Sequence, residues 1–308
     1  MSEKQYDDLL HYLKLESVFY GRSTLGGQDW KINVPAYKET SMFHIVVSGT
    51  CMVQLGEKLL KLHVGDVLFI PRAVGHQVMG HESAEPQDFS SLPVQKVRGL
   101  YETLELNADE HNKTILLCGA VKLDHPSGVM LINDMPELIH VRKDKHLFND
   151  LMEGIVSLIF KEAAGDFLGG EAVITRLVDI LMIQTIREWV LNAEEFHGKW
   201  LKALKDHKIG IALSCIHKHP EIPWTVELLG KEAGMSRTAF SKRFSELLDD
   251  TPMNYLTCWR MNLAEQRIRN GERVDADFIE GLGYQSESSF RRAFKKLKGH
   301  TLSNVVDA

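Results

Sequence analysis

The sequence predicts a multidomain α and β chain with a small β-barrel or sandwich first, a helical linker pair next and an all-α domain of two helix-turn-helix units last. Three observations predict it. Short β-type runs broken by turn residues fill residues 17–122, and a helical period takes over from Asp144. One hexapeptide pattern then occurs twice, as Ala239-Phe240-Ser241-Lys242-Arg243-Phe244 and as Ser289-Phe290-Arg291-Arg292-Ala293-Phe294. The expected domains are residues 1–142, 143–204 and 205–308, since 308 residues exceed what one core usually supports.

Charged residues at 25% and hydrophobic ones at 44% exclude disordered and membrane-embedded classes. The polar start Met1-Ser2-Glu3-Lys4-Gln5-Tyr6-Asp7-Asp8, with no apolar run near the roughly 18 residues that cross a bilayer, predicts a cytoplasmic protein without a membrane partner. The cysteines, Cys51, Cys118, Cys215 and Cys258, are scattered without a Cys-x-x-Cys pair, which argues against a zinc knuckle or a disulfide framework. The net charge of -6 is segregated: from residue 201 onward 17 Lys and Arg face 14 Asp and Glu, a local +3 that leaves -9 elsewhere. Phosphate binding depends on the basic groups at the contact face, so an acidic sensor does not exclude it.

In the first domain, Val46-Val47-Ser48-Gly49, Lys61-Leu62-His63-Val64-Gly65-Asp66 and Val67-Leu68-Phe69-Ile70-Pro71-Arg72 read as a strand, a strand entering a Gly-Asp turn, and a strand stopped by proline. Gln87 to Pro93 reads as a flexible loop, Leu116-Leu117-Cys118-Gly119 as a strand and Leu131 to His140 as the exit. Gly65 to Pro71 followed by Gly75-His76, with Phe43-His44 and Gly49 upstream, resembles the two halves of a cupin barrel. Enzymatic cupins place a metal on a His-x-His pair plus a Glu and a further His. Here His44 and His76 have counterparts, and Val46 stands where the paired histidine would be. Two histidines without a carboxylate are too few for a closed site. His44 and His76 are therefore expected to line a pocket for a small-molecule effector or to satisfy one another, with no cofactor; a metal on the pair is the alternative.

Leu147, Leu151, Ile155 and Leu158 are spaced as one apolar face of a helix ending near Gly165. After Gly169-Gly170, Ile174, Leu177, Leu181, Ile186 and Trp189 mark a second helix, apolar over more than one face. Such a pair must bury itself within the chain or against another copy, so it is the candidate dimerisation element.

From Asp206 the pattern is helical. Ile209, Leu213 and Ile216 form one face, Thr225 caps the next helix, and Gly234 supplies the corner of the first unit. Ser236 caps a helix with Phe240, Phe244 and Leu247 inward and Thr238, Ser241, Lys242 and Ser245 outward. In the second unit Phe278, Leu282 and Gly283 lead to a helix from Gln285 to Lys298, with Phe290, Phe294 and Leu297 inward and Glu287, Ser288, Arg291, Arg292 and Lys295 outward. Between the units, Thr251-Pro252 opens and Asn270-Gly271 stops one helix, about 28 Å long at 1.5 Å per residue.

Trp224-Thr225-Val226-Glu227-Leu228-Leu229, Gly234-Met235-Ser236-Arg237, Thr251 to Met261 and Gly283 to Phe290 together resemble the AraC-type transcriptional regulators, in the branch with an amino-terminal cupin-like domain. In weaker form the resemblance runs back through Trp200-Leu201, Gly170-Glu171-Ala172 and Cys118-Gly119 to the barrel, so it spans nearly the whole chain. It implies a regulator that binds double-stranded promoter DNA under control of an effector, with Thr238, Ser241 and Lys242 facing the groove in the first unit and Ser288, Arg291 and Arg292 in the second. RNA polymerase and a second copy of the chain are the further expected partners. The departures are Gly230 and Ile279, where small alanines are usual, and Leu302, where proline is usual. Gly230 is expected to loosen its helix by up to about 1 kcal/mol and Ile279 to push the second unit's helices apart. Two other readings stay open: a metal-dependent cupin enzyme, and a regulator whose signal is oxidation or an electrophile at Cys51 or Cys118.

Overall fold

The computed structural model describes residues 15–108, 111–123, 125–143, 150–165, 167–192, 198–302 and 305. The polar start at Met1 to Asp8 and the expected helical positions Asp144 and Leu147 lie outside the described residues. The described residues form two compact units, one drawn from 15–123 and 135–192 and the other from 125–134 and 198–305.

The first unit holds β1 (Leu15–Gly26), β2 (Lys31–Val34), β3 (Ser41–Ser48), β4 (Cys51–Leu55), β5 (Lys58–Leu62), β6 (Val67–Ile70), β7 (His76–Met79), β8 (Pro86–Asp88), β9 (Gln95–Arg98), β10 (Tyr101–Leu106), β11 (Lys113–Leu123) and β12 (Ile139–Val141). They build a seven-stranded sheet in the order β12-β6-β3-β11-β1-β10-β9 and a five-stranded sheet in the order β5-β4-β7-β2-β8. Pairing is antiparallel except for β1 with β10 and β2 with β8. The alternation of buried and half-buried residues along Cys51–Leu55 marks a strand with one face on the core. Residues from both sheets, among them Leu25, Ile32, Met42, Val53, Leu68, Val78, Leu104 and Leu116, share that core. This is the expected cupin-like barrel architecture. The stretch from Gln87 to Pro93 is more ordered than a loop: it adds to β8 and continues as a 3-10 turn over Phe89–Ser91.

The seven-stranded sheet is buried on its second face as well, as every residue from Ser41 to Val46 is buried. Helix α1 (Pro126–Asp134) belongs to the second unit, whereas α2 (Asp150–Ala164) and α3 (Gly170–Asn192) belong to the first. Tyr20 on β1 donates from its hydroxyl to Asp179 Oδ1 on α3 at 2.5 Å. The expected apolar face of α2 is out of phase: Ile155 is buried, but Leu151 and Leu158 are about half exposed and the inward positions are Met152, Ile155, Val156, Ile159 and Ala163. The exit predicted from Leu131 to His140 is also revised, because Leu131 to Asp134 end α1 and only Ile139–Val141 is strand.

The second unit joins α1 to α4 (Lys199–Lys205), α5 (Ile209–Lys218), α6 (Val226–Glu232), α7 (Arg237–Leu248), α8 (Pro252–Arg269), α9 (Ala276–Glu280) and α10 (Glu287–Lys298). Asp134 at the end of α1 accepts from the backbone N–H of Leu201 at 2.7 Å, serving a start of α4 that has no side-chain cap of its own. Tyr255 on α8 gathers α1, α4 and α5: its hydroxyl accepts from Trp200 Nε1 at 2.9 Å and lies 2.8 Å from His217 Nε2 and 3.6 Å from Met130 Sδ.

Candidate DNA interface and sensor cavity

Each helix-turn-helix unit is built from a capped helix, a glycine corner and a second capped helix. In the first unit Thr225 accepts from Leu228 N at 3.1 Å and Ser236 from Ala239 N at 3.3 Å, with Gly234 at φ 61° between them. In the second, Asp275 caps α9 through Phe278 N, Gly283 turns the corner at φ 75°, and Ser286 accepts from Ser289 N at 3.3 Å. The second helix therefore starts at Glu287 rather than Gln285, because Ser286 has extended backbone angles. The units share α8, whose 18 residues are opened by Thr251 and Pro252 and span about 27 Å.

Phe240 and Phe244 are fully buried in the first unit, and Phe278, Phe290 and Phe294 in the second. Leu247 is half-buried and Leu297 is 38% exposed, so each helix keeps two inward anchors where three were expected. Ile279 does not pry the second unit apart: it is buried with Phe278, Leu282 and Met261 in one core. Leu302, in place of proline, packs into the same core. A Cβ on Gly230 would lie 3.2 Å from Met235 O and 3.4 Å from Phe240 Cβ, so the glycine lets α6 and α7 approach closely and offsets part of its cost in helix propensity.

Thr238 and Lys242 are exposed on α7 and Ser241 is half-buried beside them. Ser245 leaves this face, since its hydroxyl donates to Asp250 O at 2.9 Å. Arg243 is also engaged, its Nε donating to Asp206 Oδ2 at 2.9 Å, and this pairing and backbone N–H donors hold the Asp206 carboxyl below its usual range against the opposing effect of burial. On α10, Ser288, Arg291, Arg292 and Lys295 are all exposed. Arg291 Nε lies 2.6 Å from Glu287 Oε1, whereas Arg292 has no ion-pair partner among the described residues. Three helix-borne cations on one face thus stand opposite an apolar stripe, and one of them must exchange a carboxylate for any new partner.

Arg260 was not singled out by sequence reasoning. Its guanidinium donates to Pro220 O at 2.7 Å and Ile222 O at 2.8 Å, and lies over Tyr284 at 5.7 Å. From α8 it fixes both the chain entering the first unit and the corner of the second. No local signal marks it, because its partners are about 40 residues away in one direction and 24 in the other.

In the first unit of the molecule, the two sheets flank a cavity that is partly open to solvent. Its wall is largely apolar, with Phe19, Leu25, Ile32, Met42, Phe89 and Leu116 among the contributors, and its polar groups are Ser23, Tyr37, His44 and Cys118. His44 on β3 pairs in register with Cys118 on β11, and His76 on β7 arrives from the other sheet. His44 Nε2 is 2.7 Å from His76 Nε2, His44 Nδ1 is 2.9 Å from Cys118 Sγ, and His76 Nδ1 is 2.9 Å from Val74 O. A carbonyl can only accept, so His76 carries its proton on Nδ1 and offers a bare Nε2. His44 then donates from Nε2, and its bare Nδ1 accepts the Cys118 S–H. Burial, and next the neighbouring ring, hold His44 well below the ordinary histidine value; burial holds His76 down too, against the Val74 hydrogen bond.

Sequence reasoning paired the two histidines but did not place Cys118 with them. Burial raises both candidate thiols, Cys51 to about 12 with a contribution from Asp66, and Cys118 with a contribution from Cys51. Both are thereby kept as thiols, the opposite of the thiolate character that reactivity needs. The residues do not fit a cupin metal centre either. Ligands on one zinc at about 2.05 Å would stand roughly 3.3 Å apart, so the 2.7 Å pair would have to open. Among the described residues no group of three or more His, Cys, Asp or Glu is placed to hold a metal ion.

Among known proteins, a cupin family matches residues 7–191 and a helix-turn-helix domain family matches residues 229–307. The transcriptional regulator AlkR of Acinetobacter baylyi is 26% identical over 299 residues, covering 95% of this chain and 94% of its own. A helix-turn-helix-type regulator of Haemophilus influenzae is 28% identical over 255 residues, 82% of each chain. A crystal structure of ToxT from Vibrio cholerae with a bound unsaturated fatty acid superposes with a TM-score of 0.36 at 9% identity, over 94% of this chain and 95% of that one. With its amino-terminal 7–191 in the cupin family and its carboxy-terminal 229–307 in a helix-turn-helix family, the chain belongs to the AraC-type transcriptional regulators that carry a cupin domain.

Proposed function

We propose that this regulator binds double-stranded promoter DNA by placing α7 and α10 in the major groove, and that a small, mainly apolar effector in the sensor cavity sets how well it does so. The observation that carries the reading is the pair of capped, phenylalanine-anchored helices on one shared 18-residue helix, with polar and basic residues outward on each. Thr238, Ser241 and Lys242 are short or single-headed groups suited to base edges and a groove wall. Ser288, Arg291 and Arg292 add a larger phosphate component. An effector acts by binding one arrangement of the protein better than another. RNA polymerase and a second copy of the chain complete the proposed partners.

Titration of a bound duplex at several salt concentrations tests this. Arg291→Ala and Arg292→Ala should each weaken binding to every duplex and lower the salt slope by about 1, whereas Thr238→Ala and Lys242→Ala should change the preferred sequence. Unchanged affinity in all four variants would remove the reading.

A further inference from the structure

We propose that the sensor cavity selects an uncharged ligand, a mainly apolar molecule carrying one neutral hydrogen-bonding group such as an alcohol or ketone, and rejects the corresponding carboxylate. The inference rests on the reading of the cavity as the effector site and specifies which molecules that site admits.

The composition of the wall comes first. No Lys, Arg, Asp or Glu is among the described residues that line the cavity. A carboxylate entering it gives up hydration and meets no fixed cation in return. The one wall group able to become a cation is His44, and both of its ring nitrogens are committed. Nε2 donates to His76 at 2.7 Å, and Nδ1 accepts from Cys118 at 2.9 Å. A second proton on His44 would have to displace the Cys118 S–H from Nδ1, in a place where burial already opposes charge. The chain is anchored at its far end by Val74 O, a group that cannot donate, so the proton order cannot be reversed while both rings stay neutral. The histidine pair therefore contributes a fixed, neutral polar spot to the wall.

Two hydroxyls supply what a neutral head group needs. Ser23 and Tyr37 both line the cavity, and neither side chain has a hydrogen-bond partner among the described residues. Each can donate to a ketone or alcohol oxygen and accept from an alcohol. Next to them Phe19, Leu25, Met42 and Leu116 take the apolar remainder.

The test uses the purified full-length protein near neutral pH, titrated calorimetrically with 1-octanol, 2-octanone and sodium octanoate, three probes of one chain length that differ in the head group. The alcohol and the ketone should bind at least about tenfold more tightly than octanoate, as one uncompensated charge is worth that or more. Ser23→Ala combined with Tyr37→Phe, which removes two hydroxyls and little volume, should weaken the alcohol severalfold. Leu116→Phe, shown folded by circular dichroism, should abolish its binding by filling the space. Octanoate binding as tightly as octanol would overturn the selectivity and leave the cavity as an effector site. Failure of all three probes to bind, or alcohol binding untouched in both variants, would overturn the selectivity and the cavity reading together.

Discussion

At the scale of single residues, two buried histidines and a half-buried one, His217, tie stability to pH. His217 stacks on Trp259 with ring centroids 3.9 Å apart, and burial, followed by the charge of His125, lowers its pKa to about 3. His44 and His76 are lowered for the same first reason in the barrel. In the unfolded chain each titrates near 6.5, so below that pH the unfolded state takes up protons that the folded state refuses, and folding stability drops as pH falls. For His217 the loss continues down to about pH 3 at about 1.4 kcal/mol per pH unit. Urea unfolding between neutral pH and pH 5 should show both the helical and the barrel transitions moving to lower urea; midpoints that stay constant below pH 6.5 would contradict it. The His44–His76 pairing was legible in sequence because both residues sit on recognisable cupin positions. Cys118 was not, since its place beside His44 is set by the register of two strands some 70 residues apart.

At the scale of elements, the helix boundaries were the most legible features, because their signals are local. Thr225, Ser236 and Thr251-Pro252 all cap where expected, and Gly234 and Gly283 both hold positive φ. The phase of α2 was not legible: Leu151 and Leu158 suggested an inward face, yet they point outward beside a buried Ile155, and periodicity alone does not say which apolar stripe meets the core. The two corners should differ in what they tolerate. An alanine Cβ at Gly234 would meet only the flexible end of Lys208, at 2.9 Å, whereas one at Gly283 would overlap the Arg260 guanidinium that is fixed by Pro220 O and Ile222 O. Gly234→Ala should cost about 1 kcal/mol, the conformational term alone, and Gly283→Ala should cost about 2 kcal/mol or more by also loosening Arg260. Chemical denaturation of the two variants checks the order; equal losses would show that Arg260 moves aside freely.

For the whole molecule, the -6 net charge conceals a basic carboxy-terminal part, and only that division makes DNA binding intelligible from composition. Exposed apolar residues recur at two-turn spacing in the other half, Leu151 and Leu158 on α2 and Val173 and Ile180 on α3. These are the positions expected to meet a second copy. Sedimentation equilibrium should therefore report a dimer that Leu158→Ser with Ile180→Ser converts to monomer; a monomeric parent chain would contradict that assignment. The central claim is that two helix-turn-helix units on one shared helix read DNA together, and selection from a pool of random duplexes tests it most directly. The full-length protein should enrich a site with two zones of sequence preference about 10–10.5 base pairs apart, one helical turn, with Thr238→Ala and Lys242→Ala blurring one zone and sparing the other. A pool that emerges without sequence preference, or with a single zone unaffected by either change, would contradict it.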